Sequence, residues 1–107
     1  MSRYGKTFQL DDKVIEIGSE DRNLYFIVEG TVHIKKADKV LRILKSGDYF
    51  GEIAVLAEQP ASADAVVVSE TAQIIVIYAE NIATMLAEDP RVAMQLLKQM
   101  AHRIQNN

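Results

Sequence analysis

The chain has no cysteine, which removes disulfide frameworks, thiolate zinc sites, iron–sulfur clusters and cysteine nucleophiles together. It also lacks a basic surplus: 12 Lys and Arg against 15 Asp and Glu leave a net charge of -3, so non-specific binding to phosphate backbones is not expected and no direct nucleic-acid partner is assigned. No apolar run approaches the roughly 20 residues of a membrane span. The first residues, Met1 to Lys6, have no apolar core of the signal-peptide kind. No membrane contact is expected, and the expected home is a reducing one, the cytoplasm. Repeats, low-complexity tracts and linkers are missing too. With 107 residues, the chain is read as a single domain, 1–107, with one packed core.

What is present is a succession of short β-like segments. Thr7 to Leu10 and Val14 to Ile17 are parted by Asp11-Asp12-Lys13, whose side chains favour turns. From Leu24, the residues Val28, Gly30, Val32 and Ile34 share one parity while Glu29, Thr31, His33 and Lys35 share the other. That alternation predicts one strand with a buried and a wet face, His33 facing solvent. Ala37-Asp38-Lys39 then separates it from Val40 to Lys45, the spacing of an antiparallel hairpin. Ala65 to Val68 and Gln73 to Tyr78, apolar at consecutive positions, predict strands covered on both faces.

The period then lengthens. Ile82, Met85 and Leu86 have helical spacing, and Asp89-Pro90 predicts a second helix start, with Asp as N-cap and Pro in the first turn. Beyond it Ala93, Leu96, Leu97, Met100 and Ile104 follow i, i+3, i+4, i+7, i+11, an amphipathic stripe expected to pack on the β-body or on a second copy of the chain. The predicted fold is mainly β: an antiparallel jelly roll or barrel, a double-stranded β-helix over about 7–78, followed by C-terminal α-helices over about 80–105.

Two stretches carry more than core. Leu24-Tyr25-Phe26-Ile27-Val28-Glu29-Gly30-Thr31-Val32 and Ser46-Gly47-Asp48-Tyr49-Phe50-Gly51-Glu52-Ile53-Ala54-Val55-Leu56 together resemble the cyclic nucleotide-binding domain family. That family includes the domains of the catabolite activator protein and of the regulatory subunit of cyclic AMP-dependent protein kinase. The likeness spans about residues 7–105. It implies a ligand site built from Phe50, Gly51, Glu52, Ile53, Ala54, Ala61, Ser62, Ala63 and Asp64, with cyclic AMP or cyclic GMP as the family's ligand. In the family, the acid at the position of Glu52 accepts hydrogen bonds from the ribose 2′-hydroxyl, and glycine at Gly51 lets backbone N–H groups approach an anion. An arginine after the short helix pairs with the cyclic phosphate, its fork of donors matching two oxygens at once.

The chain departs from the family there. Where the pattern reads Pro-Arg-Ala/Ser-Ala-Thr/Ser, this sequence reads Pro60-Ala61-Ser62-Ala63-Asp64. One positive charge is missing and one negative charge stands where a hydroxyl residue is usual. At about 4 Å a screened unit-charge pair is worth on the order of 1 to 4 kcal/mol, and about 1.4 kcal/mol is tenfold in affinity. Ordinary cyclic nucleotide affinity is therefore not expected, and no cofactor is assigned with certainty. Arg22, Arg42, Arg91, Arg103 and Arg3 remain as other cations without an assigned place. Purely structural roles are also open: a turn glycine at Gly51, an acid in a helix first turn at Glu52, and small residues leading into a strand at Ser62 and Ala63.

Catalysis is not expected. Jelly-roll enzymes of the cupin type hold a metal with a His-x-His pair, and two isolated histidines, His33 and His102, do not supply it. No metal site is assigned. Two functions remain: a regulatory sensor that binds a small nucleotide-like ligand weakly or atypically and signals through its C-terminal helices, or a ligand-less dimerisation or partner-docking module. With no output domain expected after the helix and no N-terminal helix before the first strand, the signal is expected to leave through a homodimer or a partner protein on the Ala93, Leu96, Leu97, Met100 and Ile104 stripe.

Overall fold

A computed structural model describes residues 5–91 together with Met94, Gln95, Lys98 and His102. Strands β1 (Gly5–Gln9) and β2 (Lys13–Ile15) are joined by the turn at Asp11 and Asp12. Asp11 takes a left-handed φ of 72°, and the Gln9 N–H donates to Asp12 Oδ2 at 2.8 Å. There follow β3 (Asn23–Glu29), β4 (Val32–Lys36), β5 (Lys39–Leu44), β6 (Tyr49–Phe50), the short helix α1 (Glu52–Leu56), β7 (Asp64–Val67), β8 (Thr71–Tyr78) and α2 (Ala79–Glu88). The strands form two four-stranded antiparallel sheets, in the orders β1-β8-β3-β6 and β2-β7-β4-β5. The mainly-β jelly roll expected from the sequence is the fold observed.

One expectation is overturned. The segment from Leu24 to Lys35 is not a single strand but two, β3 and β4, which lie in different sheets. The break is Gly30, at φ 110°, where a Cβ would stand 2.8 Å from Ala72 Cα and from the Thr71 carbonyl. Only glycine lets the backbone cross there. The β3 register against β8 also shifts between Ile27 and Glu29. Buried positions on β3 are therefore Leu24, Tyr25 and Ile27, while Val28 is 47% exposed. On β4, Val32 and Ile34 point inward as expected, and His33 lies on the opposite, outer face, half-buried between Ile43 and Val66. Strand β6, buried at both residues, has no counterpart among the expected strands.

The main core lies between the sheets: Ile27, Val32, Val67, Ala72, Ile74 and Val76 are essentially inaccessible. Cover on both faces is observed for one end of β8. Its inner face carries Ala72, Ile74 and Val76, while Ile77 joins Leu24 and Tyr49 in a second cluster against which Ile82 of α2 packs. Because successive side chains of a strand point to opposite faces, the two residues of β6 divide between these cores: Phe50 belongs to the first and Tyr49 to the second. Past α2, Asp89 accepts a hydrogen bond from the Arg91 N–H at 3.2 Å, the expected N-cap, and Pro90, Arg91, Met94, Gln95, Lys98 and His102 are helical. The stripe residues Ala93, Leu96, Leu97, Met100 and Ile104 lie outside the described residues.

Gly30→Ala combines a left-handed φ with a backbone collision, and is expected to destabilise by about 2 to 4 kcal/mol. Gly18→Ala has the same kind of φ but open space, and is expected to cost only about 1 kcal/mol. Urea unfolding of the two variants beside wild type checks the difference; equal losses would contradict the crossing.

Candidate functional site

The turn from β6 into α1 is set by packing. Phe50 is 1% exposed, and its ring stacks on Tyr25 with centroids 4.9 Å apart and planes within 13°. Burial raises the Tyr25 phenol above its ordinary pKa; the Asn23 amide, which donates to its oxygen at 3.2 Å, pulls the other way. Gly51 follows at φ 88°, so close to β3 that a Cβ would stand 2.5 Å from the Asn23 carbonyl oxygen and 2.9 Å from Tyr25 Cδ2. That approach turns the chain inward. Glu52 consequently opens α1 at 3% exposure, the one buried charged side chain among the described residues.

Beyond α1 the chain returns through Pro60 to Ala63. The Ala61 N–H donates to the Ser19 carbonyl at 2.9 Å, and the Ala61 carbonyl accepts from the Gly18 N–H at 2.8 Å. Ala61 is thus tied at both backbone groups to the loop before β3, and its side chain offers only a methyl. Between these segments lies a cavity of about 70 Å³, or about 480 Å³ with its open mouth counted. Since one water needs about 10 to 15 Å³ by the first measure, the deep part takes a compact group, such as a sugar ring or a phosphate.

The cavity brings together Phe50, Gly51, Glu52, Ala54, Ala61, Ser62 and Ala63 of the expected set. Ile53 is on α1, its side chain outside the described residues. Asp64 is not among the lining residues; its carboxylate accepts from the Ile17 N–H at 2.7 Å and pairs with Lys13 at 3.5 Å. Five lining residues were not anticipated: Ile15, Ile34, Arg42, Pro60 and Ala65. Ile15, Ile34 and Ala65 follow from neighbouring inward positions of paired strands. Arg42 has a subtler cause. Across the β4–β5 turn, Lys36 opposes Lys39 and Lys35 opposes Val40, but Ile34 opposes Arg42, because the register slips by one residue at Leu41. A one-residue slip reverses which face each later side chain takes. Without it Leu41 would oppose Ile34 and Arg42 would face away.

Chemically, the cavity offers a buried carboxyl group, one guanidinium and small apolar walls. A carboxylate is an acceptor for hydroxyl or amine donors, and a guanidinium suits an oxyanion. Among the described residues no group of three His, Asp or Glu is placed to hold a metal ion, and no helix is long and apolar enough to cross a membrane.

The sequence profile of the cyclic nucleotide-binding domain matches residues 6–89, and the chain belongs to that family. Among curated relatives, the cAMP-dependent protein kinase regulatory subunit of Debaryomyces hansenii is 43% identical over 53 residues, covering 49% of this chain and 12% of that protein. The catabolite activator protein of Thermus thermophilus superposes with a TM-score of 0.79 at 23% identity, over 95% of this chain and 50% of that one. A regulatory subunit of a cAMP-independent protein kinase A from Trypanosoma cruzi, bound to guanosine, gives 0.69 at 25% identity, over 71% of this chain and 27% of that one. The chain thus spans at most half the length of these relatives. The family is a regulatory binding domain rather than a catalytic one.

Asp64→Ala removes the acceptor for the Ile17 N–H and the partner of Lys13. It is expected to lower stability by about 1 to 3 kcal/mol, read from the urea midpoint; an unchanged midpoint would show that the Ile17 contact carries no stability.

Proposed function

We propose that this domain is a regulatory sensor which takes a small nucleoside- or nucleotide-like ligand in the cavity between Phe50 and Ala65, holds it more weakly than an arginine-clamped site, and passes its occupancy to the C-terminal helices. The observation that carries the reading is the convergence of Phe50, Gly51, Glu52, Ala54, Ala61, Ser62 and Ala63 on one cavity with a buried acid at its wall. The name of the Debaryomyces relative points to cyclic AMP, and the guanosine bound to the Trypanosoma protein points to ligands without a phosphate. Ala61 favours the second kind, because its methyl leaves a phosphate without the family's arginine.

A route to the helices is short. Phe50 lines the cavity, and its neighbour Tyr49 packs in the cluster that Ile82 of α2 covers. Tyr49 also sits with its ring 4.8 Å from that of Phe26. Burial raises the Tyr49 phenol above its usual pKa, and the nearby Asp89 carboxylate adds to the rise, so the cap of the last helix lies within electrostatic reach of β6. Ligand binding would favour one packing of α1 and α2 over another, a population shift.

A docking module that has lost its ligand is the second reading, favoured by Ala61 and by exposed apolar residues on β5: Val40, Leu41 and Ile43 are 41%, 47% and 57% accessible. Calorimetric titration with cyclic AMP, cyclic GMP and guanosine separates the two. Binding of at least one is expected, and Ala61→Arg is expected to strengthen cyclic nucleotide binding about 10- to 100-fold while leaving guanosine nearly unchanged. No binding at millimolar ligand, and no gain on Ala61→Arg, would leave the docking module as the surviving account.

A further inference from the structure

The arginine that Ala61 replaces has a candidate substitute, and identifying it rests on the ligand site proposed above. Of the described arginines, Arg22 donates to the Glu58 carbonyl at 3.0 Å, and Arg91 pairs with Asp89 at 3.3 Å. Arg42 lines the cavity that Glu52 and Ala61 also line, and among the described residues its guanidinium is engaged by no hydrogen bond or ion pair. It arrives there by the register slip at Leu41, which sets it opposite the inward-facing Ile34. Arg42 also borders a second groove, shared with Asp48 and with the helical residues Gln95, Lys98 and His102. It is the one described residue that lines both the cavity and this groove.

The geometry points to Arg42 as the residue that holds the anionic group of a nucleotide in this cavity, reaching it from β5 instead of from the loop after α1. The ligand class is then a ribonucleotide-like anion whose sugar meets Glu52 and whose phosphate meets Arg42. Guanidinium is suited to this role because it stays charged and presents paired donors to two oxygens. A long side chain on an exposed strand position keeps the reach to serve either space. Drawn into the cavity by an anion, the guanidinium leaves the groove beside Gln95 and Lys98, so a charged ligand changes the surroundings of the last helix in a way that a neutral one does not.

Calorimetry on the intact chain with cyclic AMP and with guanosine, at low and high salt, tests this with wild type, Arg42→Gln and Arg42→Lys. Arg42→Gln is expected to weaken cyclic AMP by about tenfold or more, to leave guanosine within about twofold, and to abolish most of the salt dependence of cyclic AMP binding. Arg42→Lys keeps the charge but loses the fork, and is expected to fall between the two. It also serves as the probe if Arg42→Gln fails to fold. Unchanged cyclic AMP affinity in Arg42→Gln, or equal loss of both ligands, overturns the assignment. Guanosine binding with no cyclic AMP binding by wild type overturns it too while leaving the ligand site standing; binding of neither overturns both.

Discussion

The backbone at Gly51 runs so close under β3 that no side chain fits between it and the Asn23 carbonyl or the Tyr25 ring. The Tyr25–Phe50 stack holds the two segments at that separation from one side, and the left-handed φ of Gly51 turns the chain away on the other. From this contact α1 takes its direction, and Glu52 takes a buried place that a carboxyl group reaches only when the chain leads it there. The cavity is the space left between α1 and the loop that Ala61 ties to Gly18 and Ser19. Replacing Gly51 would therefore disturb the stack, the helix and the acid together.

Much of this was legible before the fold was seen. The turn residues Asp11-Asp12 and Ala37-Asp38, the β-rich runs and the Asp89 cap are local signals, and they fall where turns, strands and a helix start are found. Of the residues singled out around Gly51 and Glu52, all but Ile53 and Asp64 meet at one cavity. What failed was long-range. Alternation from Val28 to Ile34 looked continuous because Val28 and Gly30 fall on the apolar parity of β4, whereas the buried positions switch from Tyr25 and Ile27 on β3 to Val32 and Ile34 on β4 as the chain changes sheets; the approach of Ala72 shows why glycine stands at the switch. Arg42 was one cation among several because nothing in Lys39 to Leu44 announces a register slip, yet that slip decides which face the guanidinium takes. Asp64 stood beside the motif, but Ile17 and Lys13 claim its carboxylate.

The segment Pro60 to Asp64 carries no arginine, and the guanidinium that lines the cavity is that of Arg42 on β5. An arginine on the loop after α1 would sit on the same segment that closes the cavity, so phosphate binding and loop closure would be one event. The loop is held by the backbone hydrogen bonds of Ala61 to Gly18 and Ser19 and by the Arg22 guanidinium on the Glu58 carbonyl, so under the proposal made above an anion would be met instead by Arg42 from the β4–β5 hairpin. On that proposal, recognition of a sugar hydroxyl by Glu52 and of a charged group by Arg42 would be separable, and nucleosides as well as nucleotides would be accepted. The two faces of β6 connect the cavity wall at Phe50 with the cluster of Tyr49 and Ile82, the packing through which the proposed signal would pass.

The central claim is that a ligand sits in this cavity with Glu52 at its wall. A crystal structure of the chain grown with guanosine, and a second with cyclic AMP, tests it most directly. The account requires density for at least one ligand between Glu52 and Ala61, with its sugar hydroxyls within hydrogen-bond distance of the Glu52 carboxylate. Ligand density found only elsewhere on the surface, with the cavity holding water in both crystals, would contradict it.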